Sequence, residues 1–529
     1  MNSPVPTPMG DAVQAAYRRG EDDEAMEPLV LVDGAGPPIG RIKDGDHVIF
    51  YDIRGEREVE LTLAFVDPRF PHFPIEPMRV PFTTMIEYRS DLPVSVAFPS
   101  PGRLDDTLAH VVSRAGLRQA RVSESEKAVH INYFFSGKCE KPLPGEVREE
   151  VPSPRDVPFD TVPRMNAEGV ADAVVRRLKE PDLAFITANI ANVDVVGHIE
   201  NREAIGTAVA AVDAAAGRII ESARAAGVTT LVTADHGTVE SWLYSDGSID
   251  TGHTKSPVPF VLVPPEGAPE GIAIRDGGEL ADVAPTVAVL MDLETPSSWT
   301  GRPLLADKTV LSPGRVLLLI LDGWGEGDSG DGDLIASAST PVMDRLRSLY
   351  PNTTLCAAGE AVGMPPKAVG NSEVGHLHLG AGRRIPSDRV RIDMSLADGS
   401  FLENPAFLNA VRASRDAGTA LHLLGIISFY SSHGSVRHLK ALLELAARER
   451  HPEVYVHGML GRRGERPEAG AGYVRDVEQD CARLGVGRVT TMIGRFWSLD
   501  REENWDRIEK TYDALVRGVA RHVPDDPKE

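Results

Sequence analysis

Short apolar runs rich in β-branched residues recur along this chain, and most lead into an amphipathic stretch with helical spacing. That alternation restricts the fold to α/β layers with mostly parallel sheets, because parallel strands are joined by crossovers that are usually helices. Strands are predicted at residues 47–51, 183–188, 229–233, 259–263, 316–321, 420–427, 453–459 and 489–494. Helices are predicted at Ala167–Leu178, Ala204–Ala225, Val436–Arg448 and Trp505–Val519. Residues suited to chemistry stand just beyond the strands. Asp322 follows 316–321, Asp235 and His236 follow 229–233, and Asp194 lies shortly after 183–188. Arg54, Arg463 and Arg495 each follow a strand of their own. Ligands of open α/β sheets gather at the carboxyl ends of the strands. One group is rich in Asp and His and the other in Arg, which predicts two domains with different tasks.

The 529 residues suffice for two or three domains. With 56 basic and 78 acidic residues the formal charge is −22, so the chain repels nucleic acid and anionic membranes unless basic residues are concentrated locally. An anionic substrate therefore needs clustered arginines or bound metal ions. Cys139, Cys356 and Cys481 are far apart in sequence, which offers neither a disulfide framework nor a zinc knuckle and suits a reducing cytoplasm. No signal-peptide pattern opens the chain, and the longest apolar run, Val316–Leu321, is too short to span a bilayer. A soluble, cytoplasmic protein is expected, without nucleic-acid or membrane partners.

Four motifs carry candidate metal ligands: VDVVGH (193–198), TADHG (233–237), TGHT (251–254) and LDGWG (321–325). Asp194 and His198 are four residues apart, one helical turn, so both can face one cation. Asp235 and His236 are adjacent, as suits a strand-end turn that directs both inward. Carboxylate with imidazole suits Mn²⁺ or Zn²⁺, and the lack of thiolates disfavours softer metals. In GNSEVGH (370–376), Asn371 or Ser372 caps a helix, with Glu373 in its first turn. A serine there meets the positive end of the helix, and a hydroxyl held beside a divalent metal becomes a nucleophile at neutral pH.

Together with GNSEVGHLHLGAG and TGHTKSPVP, these motifs resemble the cofactor-independent phosphoglycerate mutases of the alkaline phosphatase superfamily. The resemblance covers nearly the whole chain in a different order. GRPLL (301–305), a segment usual near the family's C-terminus, runs through a connector at 306–315 into the LDGWG strand that usually opens it. The resemblance thus implies a circular permutation. An alkaline-phosphatase-like domain would be continuous over residues 100–386, and a smaller transferase-like domain would be split between residues 1–99 and 387–529. It implies two divalent ions, Mn²⁺ before Zn²⁺: one held by Asp194, His198 and His253, the other by Asp322, Asp235, His236 and Ser372. It makes Ser372 the nucleophile, with Lys127 beside it in the catalytic and substrate-binding sets. Arg54, Arg57, His433, Arg463, Arg495 and Arg501 would bind a small phosphorylated carboxylic acid, which arginine forks suit. The enzyme is expected to act as a monomer.

Two substrate loops depart from the family pattern. SFYSSHGS (428–435) stands where SDGGVHSH is usual, and LGRRGE (460–465) stands where LDGRDV is usual. Gly461 and Gly464 thereby replace two aspartates, the second of which contacts the substrate hydroxyl in the family. Three activities accommodate this: a mutase with its proton handling reassigned, a paralogue moving a phosphoryl or phosphonyl-type group to a glycerate-like acceptor, or a metal-dependent phosphomonoester hydrolase.

Overall fold

The computed structural model describes residues 5–34, 36–307, 311–429, 431, 433–461 and 468–525. The chain divides into two compact units, one of residues 101–390 and one of residues 1–100 with 391–529. Each is an α/β unit around its own sheet, in line with the predicted class.

In the unit of residues 101–390 a seven-stranded sheet runs in the order Asn352–Leu355, Val258–Val263, Thr229–Thr233, Val316–Leu321, Leu183–Ile190, Arg118–Glu124, Glu146–Val151. The last five are mutually parallel, and Val258–Val263 is antiparallel to both its neighbours. Every residue of the central strand Val316–Leu321 is buried, which explains why it is a continuous apolar run rather than an alternating one. Helices Ala167–Leu178 and Arg202–Ala225 contribute their apolar faces to the same core. Asn201 caps the longer one, its side chain accepting from Ala204 N at 3.1 Å.

The register of this sheet places the chemistry. Leu321 lies opposite Ile190, and Ile320 opposite Thr233, so Asp322, Asp194 and Asp235 leave neighbouring strands at one edge. Asp194 N donates to Asp322 O at 3.1 Å and ties two of these loops together.

Strand Arg118–Glu124 (RQARVSE) was not among the predicted strands, since it has no apolar run. Gln119, Arg121, Ser123 and Glu124 are nonetheless buried. The Arg121 guanidinium donates to Thr187 Oγ1 at 3.0 Å and Gln119 Oε1 at 2.6 Å, and lies 4.8 Å from the Phe135 ring centroid. Burial lowers its pKa to about 10. The strand delivers the chain to Lys127.

In the other unit an eight-stranded sheet runs Arg521–Pro524, Leu29–Val32, Arg488–Gly494, Val454–Leu460, Leu421–Ile426, His47–Phe50, Phe82–Ile86, Ser95–Phe98. All these neighbours are parallel except Leu29–Val32 with Arg488–Gly494. Helix Val436–Arg448 covers this core and is capped by Ser435, whose Oγ accepts from Arg437 N at 3.3 Å. The helix expected over Trp505–Val519 differs: it runs Trp505–Tyr512, widens into a π-helical turn at Asp513–Arg517 and stops at Gly518. Gly518 takes φ +72°, and a Cβ there would lie 2.5 Å from Pro38 Cγ. The left-handed conformation ends the helix.

Residues 101–390, expressed alone, should fold with a cooperative thermal transition and a far-ultraviolet spectrum of mixed helix and strand. An insoluble product, or a non-cooperative melt, would mean that this unit depends on the rest of the chain.

Candidate functional site

Lys127 organises the strand-end cluster of residues 101–390. Its ammonium, almost wholly buried, lies 2.6 Å from Asp194 Oδ2, 2.7 Å from Asp322 Oδ1 and 2.7 Å from Ser372 Oγ. Burial alone would disfavour the charge, but Asp322 and Asp194 outweigh it and hold the Lys127 pKa above its ordinary value. Burial would likewise raise Asp194, yet Lys127 and the imidazoles of His198 and His253 hold it well below the usual range. Asp322 goes the other way, raised by burial and by the charge of Asp235.

Ser372 opens helix Ser372–Ala381. The cap is Asn371, whose Oδ1 accepts from Val374 N at 3.0 Å, so Ser372 Oγ is released from capping. It stands 3.0 Å from His236 Nε2 and 3.5 Å from Asp322 Oδ1. His236 Nδ1 lies 3.2 Å from the Gly237 carbonyl, which can only accept. Nδ1 therefore bears the proton, and Nε2 turns its lone pair to the serine hydroxyl.

Two close approaches depend on glycine. At Gly323, with φ +79°, a Cβ would lie 2.8 Å from Asp194 Cα. At Gly375 it would lie 2.5 Å from Asp235 O, so the helix bearing Ser372 can come against the Asp235 loop only without a side chain there.

The cluster suits divalent cations. Three ligand groups each bring their atoms within 4.8 Å of one another: Asp194, His198 and His253; Asp194, His236 and Asp322; and Asp235, Asp322 and His376. His198 Nε2 and His253 Nε2 lie 3.3 and 3.2 Å from the same oxygen, Asp194 Oδ1. Asp235 Oδ2 is buried and makes no hydrogen bond, although His236 Nε2 and His376 Nδ1 are 3.4 and 3.2 Å away. Three buried carboxylates face one ammonium, which leaves negative charge that bound cations would balance.

Sequence reasoning missed two members of this cluster. His376 is one turn from Ser372 and on the same helix face; its Nδ1 is 2.8 Å from Ser372 O, and Asp235 raises its pKa despite burial. Its place in GNSEVGH, four residues after the serine, was the available signal. Asn189, on strand Leu183–Ile190, donates to Asp322 Oδ2 at 2.6 Å and lies 3.0 Å from His376 Nε2. A buried strand asparagine leaves no sequence signal of its role.

In the other unit, the predicted substrate residues stand after parallel strands. Glu56 accepts from Arg54 at 2.9 Å and from Arg501 at 2.8 Å, joining those two arginines. Arg57 donates to Leu499 O at 3.0 Å. Arg495 pairs with Glu24 at 2.9 Å, and its Nη1 lies 3.3 Å from His433 Nε2. Arg463 and Gly464 lie outside the described residues.

Replacing Lys127 with Met should destabilise metal-free protein by about 3–5 kcal/mol, because it strands buried carboxylates. Excess Mn²⁺ should recover part of that loss by binding the folded state. Thermal melts with chelator and with Mn²⁺ test this; equal losses under both conditions would show that Lys127 and the cations do not share the same charge.

Residues 42–295 match the Metalloenzyme superfamily, and residues 392–529 match the BPG-independent PGAM N-terminus family. A 2,3-bisphosphoglycerate-independent phosphoglycerate mutase of Thermomicrobium roseum is 42% identical over 57% of this chain and 58% of its own length. The protein of that name from Pseudomonas aeruginosa is 41% identical over 56% of each. The chain thus matches little more than half the length of these curated relatives. A Leishmania mexicana phosphoglycerate mutase, solved at low cobalt concentration, is 28% identical over 52% of this chain and 53% of that one, with a TM-score of 0.36. The chain thus carries a Metalloenzyme segment and a BPG-independent PGAM N-terminus segment, and is similar, near 40% identity, to BPG-independent phosphoglycerate mutases over little more than half of their length.

Proposed function

We propose that this protein transfers the phosphoryl group of a phosphoglycerate between its hydroxyls through Ser372. The observation that carries this is the environment of Ser372 Oγ, 2.7 Å from the Lys127 ammonium and 3.0 Å from the His236 Nε2 lone pair. Lys127 donates to the oxygen and favours its anionic form. The N-terminus of helix Ser372–Ala381 adds positive potential at the same oxygen. Two divalent ions, Mn²⁺ foremost, would supply positive charge for the phosphoryl oxygens when held by Asp194, His198 and His253 and by Asp322, Asp235, His236 and Ser372. Arg54, Arg57, Arg463, Arg495, Arg501 and His433 are read as the recognition set for the phosphoacid, and the units 101–390 and 1–100 with 391–529 as phosphatase-like and transferase-like domains.

The chain order is read as a circular permutation. The segment that matches a family N-terminus here occupies residues 392–529, after the Metalloenzyme segment at 42–295. Gly461 and Gly464, in place of the usual loop aspartates, favour one second reading, transfer of a phosphoryl or phosphonyl-type group to a different glycerate-like acceptor.

Incubation with 3-phosphoglycerate and Mn²⁺ should form 2-phosphoglycerate and leave phosphoserine at residue 372, detectable by mass spectrometry after acid quenching. Ser372→Ala should abolish both without lowering the melting temperature, since Asn371 holds the cap. An active Ser372→Ala enzyme, or a label on another residue, would refute the assignment.

A further inference from the structure

A further carboxylate is buried beside the metal-suited cluster and belongs to none of its three ligand groups. Glu240, shortly after the TADHG motif, is 1% exposed. Its Oε2 accepts from Thr238 N at 2.9 Å, and its Oε1 accepts from Thr254 Oγ1. Both donors are neutral, so neither contact brings a counter-ion. Burying a carboxylate in this way costs stability that an apolar side chain would not, and the cost points to a task in the neighbouring site.

The two donors belong to different loops. Thr238 follows His236 beyond strand Thr229–Thr233, and its Oγ1 lies 3.4 Å from both Asp194 Oδ1 and His236 Nδ1. Thr254 closes the TGHT segment (251–254), and its N donates to Gly237 O at 3.0 Å. That segment supplies two fixtures of the candidate site of Asp194, His198 and His253. One is the His253 ring, whose Nδ1 lies 3.0 Å from Gly370 O. The other is Thr251 O, 2.7 Å from His198 Nδ1. A carbonyl can only accept, so each ring turns an N–H to its carbonyl and keeps Nε2 for a cation.

Glycines of two motifs make room for Glu240. A Cβ on Gly237 would run into Glu240 Oε1 and Thr254 Oγ1, and one on Gly325 into the Glu240 carboxyl group. The same loop backs the helix Asn192–Gly197 that carries Asp194: a Cβ on Gly197 would lie 2.7 Å from Val239 Cγ1 and 2.8 Å from Thr238 Cγ2.

We propose that Glu240 is a positioning residue for the cation site of Asp194, His198 and His253. Its carboxylate clamps the segment 251–254 to the loop of His236 and so sets the Nε2 atoms of His198 and His253 at 3.3 and 3.2 Å from Asp194 Oδ1. It acts through Thr254 rather than on the cation. This rests on the two-metal reading of the cluster.

The test measures Mn²⁺ binding to the chelator-treated full chain by calorimetry, with His253→Ala identifying the binding event that belongs to this site. Glu240→Met removes the clamp, and Thr254→Val removes one contact while leaving the carboxylate. Each should weaken that event by about 10- to 100-fold, and Thr254→Val should change the other event less than about threefold. The double variant should match Glu240→Met, because both changes break the same clamp. Thr254→Val carries the comparison if Glu240→Met does not fold. Wild-type affinity in either variant, equal weakening of both events by Thr254→Val, or additive losses in the double variant would overturn the role of Glu240. So would a lower melting temperature in chelator with Mn²⁺ affinity intact, which would make Glu240 structural only. A wild-type chain that binds no Mn²⁺ would instead overturn the two-metal reading itself.

Discussion

Three carboxylates are buried at adjacent strand ends, and the ammonium of Lys127 stands between two of them. Taking such charges out of water costs several kcal/mol each, so the arrangement survives only with close compensation. Lys127 reaches Asp194, Asp322 and Ser372 at 2.6–2.7 Å and supplies one counter-charge. The remainder would fall to bound cations, to the start of helix Ser372–Ala381 and to the imidazoles of His198 and His376, whose pKa values are raised. Strand register, the Asp194–Asp322 backbone bond and the missing side chains at Gly323 and Gly375 all serve this concentration of charge.

The same constraint bears on how a chain of formal charge −22 could take the anionic substrate proposed for it. Two places offer positive charge for it. One is the metal-suited cluster, where carboxylates recruit cations. The other is the run of arginines beyond the parallel strands of the second sheet, held in orientation by Glu24 and Glu56. Such acidic partners keep the arginines placed at small cost, because a ligand carboxylate or phosphate can replace them.

Much of this was legible because the parallel-sheet core writes itself as apolar runs. Val316–Leu321 and Thr229–Thr233 could be bounded from sequence alone, and Asp322, Asp235 and His236 followed from being next in line. Strand Arg118–Glu124 was not legible, since its buried Gln119 and Arg121 find partners in Ala109 O and Thr187 Oγ1, which spacing cannot reveal. Whether Asn371 or Ser372 caps the helix was also open, both residues being competent caps. The structure uses Asn371, which leaves the serine oxygen for chemistry.

The central claim is that the Asp194–Asp322–Asp235 cluster is built to hold two divalent cations beside Ser372. Anomalous diffraction from crystals grown with Mn²⁺ tests it most directly. The account predicts two peaks, one among Asp194, His198 and His253 and one among Asp322, Asp235, His236 and Ser372. An empty cluster at saturating Mn²⁺, with Lys127 still bridging Asp194 and Asp322, would contradict it.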